Sequence, residues 1–127
     1  MNEDINIPFY NDNIYGGFAE TKGLIYFENN FLIFEFETKD ALLQVVSSGV
    51  KIIKIPLDGI RSVEFKKGFF SSKLIITAKS LKYFANVPGN ESNVLTYKIK
   101  KQHNDLVRLA VSHLQLLIAE NTLKKFE

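Results

Sequence analysis

Apolar and polar residues alternate through most of the chain and then, past Lys100, switch to a helical period. That predicts several short strands followed by one C-terminal helix. The alternation starts at Thr21, where Ile25 and Phe27 share a face and Lys22, Leu24, Tyr26 and Glu28 take the other, before Asn29-Asn30, a pair suited to the left-handed angles of a tight hairpin. Phe31 to Glu37 returns with Leu32, Phe34 and Phe36 inward and Glu35 and Glu37 outward, and Thr38-Lys39-Asp40 breaks the pattern. Ala41 to Val46 fits a short edge strand or a turn of helix equally well. Ser47-Ser48-Gly49 then turns the chain into Val50 to Leu57, with Ile53, Ile55 and Leu57 inward opposite Lys54 and Pro56 marking an edge or a strand end.

After a turn at Asp58-Gly59, Ile60 to Lys66 sets Val63 and Phe65 against Ser62, Glu64 and Lys66, and Lys67 to Ser71 joins it to Lys73 to Lys79 as another hairpin. Ser80 to Asn93 reads as a loop whose Leu81, Tyr83 and Phe84 fold back on the core. Val94 to Lys100 is the last strand. The helix from His103 to Asn121 places Leu106, Val107, Ala110, Val111, Leu114, Leu117 and Ile118 on one apolar stripe, with Asp105, Arg108, Ser112, Gln115 and Glu120 opposite. At about 1.5 Å per residue such a helix runs roughly 28 Å, enough to cover the open side of a small barrel. Residues 1–17, rich in Asn and Asp and ending in Gly16-Gly17, show no sustained period and read as a loosely ordered arm. Its Ile7, Phe9, Tyr10, Ile14 and Tyr15 need a surface to dock on. The expected organisation is thus an arm at 1–17, one domain at 18–121 and a tail at 122–127.

Composition narrows the picture. A chain of 127 residues, 46% hydrophobic with 11 Phe and 5 Tyr, holds one well-filled core and no second. With no Cys there is no disulfide, thiolate nucleophile or Cys-ligated zinc. The acidic start Met1-Asn2-Glu3-Asp4 and the lack of a long apolar run speak against a signal peptide or membrane-spanning helix, so a cytoplasmic location is expected. A net charge of +2 is too small for a general polyanion-binding surface, which leaves only local electrostatic roles.

The segment from Val50 through Ile55-Pro56-Leu57-Asp58-Gly59-Ile60 to the tip Lys66-Lys67-Gly68-Phe69-Phe70, with Asn86-Val87-Pro88-Gly89 and the final strand and helix, resembles bacterial pleckstrin-homology-like domains of the GRAM-related kind. The resemblance covers Phe18 to Glu120. It implies about seven antiparallel strands in two crossed sheets, a barrel capped by the C-terminal helix, and a binding or assembly role. In phosphoinositide-binding members of the wider family several Lys and Arg surround the first hairpin. Here it reads Tyr26-Phe27-Glu28-Asn29-Asn30-Phe31, which argues against head-group binding at that place.

Few residues carry chemistry. His103 and His113, ten apart, do not share a helix face for a metal, so structural roles are expected and no metal or cofactor is predicted. Asp58, Glu64 and Asp105 lack an accompanying nucleophile or metal triad, so no enzyme activity and no catalytic residue is predicted. Nucleic-acid binding is not expected, because no strand interleaves aromatic and basic residues. The best surface candidate is Lys66, Lys67, Phe69, Phe70 and Lys73, two aromatics at a hairpin tip among lysines, with Lys79 and Lys82 as extensions. A small barrel needs large side chains at its mouths, which favours Phe69 or Phe70 folding under as a plug. Lys98, Lys100 and Lys101 form a second basic edge. Two functions follow: a protein-interaction or self-assembly module using a strand edge near Leu42 to Val46 or the arm in trans, or a peripheral module for anionic membranes working through the Lys66 to Lys73 hairpin. The first is the favoured expectation.

Overall fold

A computed structural model of the protein describes residues 5–14, 19–40, 49–87 and 92–126. It is mainly β: seven antiparallel strands in one sheet and one C-terminal helix. The strands are β1 (Asn6–Ile14), β2 (Ala19–Glu28), β3 (Phe31–Asp40), β4 (Lys51–Pro56), β5 (Ile60–Lys66), β6 (Ser72–Ala78) and β7 (Val94–Ile99), followed by α1 (Asn104–Lys124). Their order across the sheet is β4-β3-β2-β1-β7-β6-β5, which leaves β4 and β5 at the edges. Neighbouring strands are consecutive in the chain except where β1 meets β7, and among the described residues that junction shows one register pair, Tyr10 with Lys98.

The β2–β3 hairpin forms as the sequence dictates. Asn29 and Asn30 take φ of 52° and 69°, the left-handed angles that a two-residue turn requires. Ile25, Phe27, Leu32, Phe34 and Phe36 are then all buried on one face. β3 runs on to Asp40 instead of breaking at Thr38, because polar cross-strand pairs carry it beyond the apolar alternation. Thr21 and Thr38 share a hydroxyl hydrogen bond of 3.2 Å, and Lys39 Nζ lies 3.8 Å from Glu20. In β2, Gly23 is required by close approach, since a Cβ there would meet the Glu35 carbonyl oxygen and lie 2.9 Å from the Phe9 ring.

The expected N-terminal arm is corrected. Asn6–Ile14 is β1, an inner strand paired with β2 from Asn6 and Tyr26 to Ile14 and Ala19. Ile5, Ile7 and Phe9 alternate inward and are buried, a period of two that Pro8 and the surrounding Asn residues obscure. Phe9 stacks on Tyr97 at 4.3 Å, and Phe34 meets the same ring edge-on at 6.5 Å. Burial between them pushes the Tyr97 phenol far above its ordinary pKa.

α1 covers the core with Val107, Ala110, Val111 and Leu114, all buried, and with Leu117 and Ile118 half-buried. Leu106, expected on this stripe, is instead 44% exposed at its margin. Gln115 Nε2 donates to the Val63 carbonyl of edge strand β5 (2.8 Å), and near the helix end Asn121 donates to Asp58 (2.7 Å) while Lys125 pairs with it at 3.0 Å. The loop after β6 folds back as expected, with Phe84 fully buried and Tyr83 packed against Gly59, but Leu81 is exposed. The segment Ala41 to Val46, the turn residues Ser47-Ser48 and Pro88-Gly89 lie outside the described residues.

Candidate functional site

The hairpin between β5 and β6 is built on the register pairs Phe65 with Leu74 and Lys66 with Lys73. Its base is anchored by Ser72, fully buried, whose hydroxyl donates to Asn104 Oδ1 at 2.7 Å and so ties the start of β6 to the first residue of α1. At the tip, Gly68 is needed because a Cβ there would run into the Ser71 carbonyl oxygen. Beyond that turn Phe69 and Phe70 project outward, 80% and 88% exposed, with their rings edge to face at 4.8 Å. The expected plug is therefore corrected: neither ring enters the core. Leu74, Ile99 and Val107, each fully buried close to the base of the hairpin and the start of the helix, already fill that end.

Lys66, Lys67 and Lys73 are exposed around the two rings. The helix start adds two more cations. Lys101 Nζ stands 5.1 Å from the centre of the Phe69 ring, and the Arg108 guanidinium stands 5.9 Å from Phe65 with Asp105 at 3.7 Å. Because Lys73 also pairs in register with Lys98, the second basic edge read from the sequence merges with the hairpin into one basic collar. Arg108 had no sequence signal for this role, as its place beside Phe65 depends on how α1 crosses β5. Lys79 and Lys82 do not belong to the collar. Lys79 follows the far end of β6, roughly 20 Å away at strand spacing, where its amide donates to the Gly59 carbonyl. Lys82 lies over Tyr83.

The other candidates are dispersed. Asp58 is occupied in the clamp to α1, where hydrogen bonds from Asn121 and then Lys125 hold its carboxyl below the ordinary range. Glu64 lines a shallow groove between β5 and α1 with Arg61 and Gln115, and Gln115 is already bonded to Val63. His103 borders a cavity of about 200 Å³ with Pro8, Phe9, Tyr10, Lys22, Gly23 and Lys100. Its Nδ1 is buried without a hydrogen-bond partner among the described residues. His113 lies on the helix, ten positions on. Among the described residues no group of three or more His, Asp or Glu could hold a metal, and no helix is long and apolar enough to cross a membrane.

Both sheet edges are guarded. β5 is covered in part by α1, while β4 carries Lys51, Lys54 and Pro56, the residues that discourage strand addition. No family model, curated protein or solved structure matches the chain.

Proposed function

We propose that the protein is a non-enzymatic pleckstrin-homology-like binding module that attaches peripherally to anionic membrane surfaces through the β5–β6 hairpin. The observation that carries this reading is the pair Phe69 and Phe70, solvent-exposed and in mutual contact at the tip, inside a collar of Lys66, Lys67, Lys73 and Lys101. A basic residue near an anionic bilayer contributes about 1 kcal/mol, so four lysines alone give roughly millimolar attachment. Each Phe adds part of the ~1.5–3 kcal/mol that full burial of its side chain is worth. Two rings bring the sum to about 6–8 kcal/mol, a dissociation constant in the micromolar range. The aromatics therefore decide whether attachment is measurable.

The pleckstrin-homology-like part of the reading is supported by seven antiparallel strands followed by one C-terminal helix. It is supported further by the junction of β1 with β7, one register pair among the described residues, where β4-β3-β2-β1 and β7-β6-β5 can turn across each other as two crossed sheets of a barrel. The β2–β3 hairpin, with Glu28, Asn29 and Asn30 exposed, offers no cation at its tip, while the turn of the first hairpin, β1–β2, lies outside the described residues. Self-assembly through the aromatic arm loses its basis, because that segment is an inner strand.

The chain has no Trp, so Phe69→Trp and Phe70→Trp each introduce a single reporter. Insertion predicts a blue-shifted, quencher-protected indole on vesicles rich in phosphatidylserine and none on neutral ones. An indole that stays water-exposed on every vesicle contradicts the proposal.

A further inference from the structure

We infer that the outward face of α1 pairs, antiparallel, with the same face of a second copy of this chain. The helix has two apolar faces. Val107, Ala110, Val111 and Leu114 are buried on one, while Leu109, Leu116 and Leu123 are 70%, 57% and 66% exposed on the other. At about 100° per residue the two faces lie on opposite sides of the helix. The three exposed leucines recur at a spacing of seven, a stripe that drifts about 20° per repeat and is the seam of a left-handed helix pair.

The positions between them decide the occupant. Ser112 and Ala119, both exposed, sit at the intervening seam positions. In an antiparallel pair with Leu116 of one copy over Ala119 of the other, Leu123 falls over Ser112, and Leu109 meets the helix end where Phe126 is 84% exposed. At the central layers leucines then face small residues, the arrangement that lets two helices interdigitate, and beyond the end of α1 at Lys124 the outermost contact is Leu109 with Phe126. On the flanks the same register sets Glu120 of one copy beside His113 of the other, and Gln115 beside Thr122, so no like charges face each other. The face is complementary to itself. A bilayer fits it poorly, since the charges within the stripe are Asp105 and Glu120, both acidic, and an anionic surface repels them. The pairing stands whether or not the hairpin binds lipid. If it does, two hairpins in one dimer strengthen attachment through effective concentration.

Light scattering and sedimentation of the full chain test this, with an expected mass of two 14.5 kDa chains. Leu116→Arg and, separately, Ala119→Glu each raise the dissociation constant by about tenfold or more, without lowering the melting temperature read at a dilution where wild type and variant are both monomeric. The chain has no Cys, so mixing Ser112→Cys with Leu123→Cys reports the register by a disulfide between unlike chains. A wild-type protein that stays at the mass of one chain, or Leu116→Arg and Ala119→Glu proteins that remain dimeric, overturns the pairing. Self-crosslinking of Leu123→Cys overturns the antiparallel geometry. A monomeric wild type whose vesicle binding drops with Leu116→Arg assigns the stripe to the membrane instead.

Discussion

The two hairpins at β2–β3 and β5–β6 are the same kind of element put to different ends. At the first, every tip residue serves the turn: Asn29 and Asn30 accept left-handed angles, and the Asn30 carbonyl accepts from the Leu57 amide at 3.0 Å. At the second, Gly68 serves the turn and Phe69 and Phe70 serve neither turn nor core. Residues that meet no internal need, and that cost solubility where they stand, mark a surface for something apolar.

The sharpest contrast lies between a ring inside and a ring outside. Phe34→Ala removes a fully buried side chain from the core. It should cost about 3–5 kcal/mol in denaturant unfolding. Phe69→Ala with Phe70→Ala should leave stability within about 0.5 kcal/mol, as exposed substitutions do. On anionic vesicles the same double variant should lose tenfold or more in affinity, about 1.4 kcal/mol per factor of ten. Comparable unfolding losses at the two places would erase the distinction. At the first hairpin, Asn30→Val forces a β-branched residue to positive φ. That should cost ~1–2 kcal/mol of stability and leave vesicle binding by the folded protein unchanged. Lys67→Glu with Lys73→Glu reverses two collar charges and should weaken both binding and its salt dependence, read by sedimentation at two ionic strengths.

The smallest effect concerns the clamp at the far end of α1. The folded-state pKa of Asp58 is depressed by Asn121 and Lys125, so the clamp's stabilisation is fully present above the ordinary carboxyl value of 3.8. It is lost as pH falls through the depressed value. Melting temperatures of the wild type and Asp58→Asn should converge in acid. A gap that persists at the lowest pH would assign the clamp to packing instead.

Much of the fold was legible because alternation is a local signal. Ile25 to Phe36 and the Asn29-Asn30 turn follow from residues adjacent in sequence. β1 was hidden because Pro8 and its Asn neighbours imitate a loop, and only the ring of Tyr97, some ninety residues on, explains why Phe9 is buried. The site was legible in its residues but not in its direction. Whether two Phe at a tip turn in or out depends on whether Leu74, Ile99 and Val107 have already filled the space, which is a tertiary fact. The second apolar face of α1 was present all along as leucines at 109, 116 and 123. Its three leucines are outnumbered by the wider apolar stripe with a period near 3.6 on the opposite side of the helix.

Co-sedimentation with phosphatidylserine-rich and neutral vesicles, at low and at high salt, bears most directly on the central claim. Attachment through the hairpin predicts pelleting with the anionic vesicles at low salt, loss of much of it at high salt, and little for the Phe69→Ala, Phe70→Ala double variant. Equal pelleting with neutral vesicles, or full binding by that variant, would contradict it.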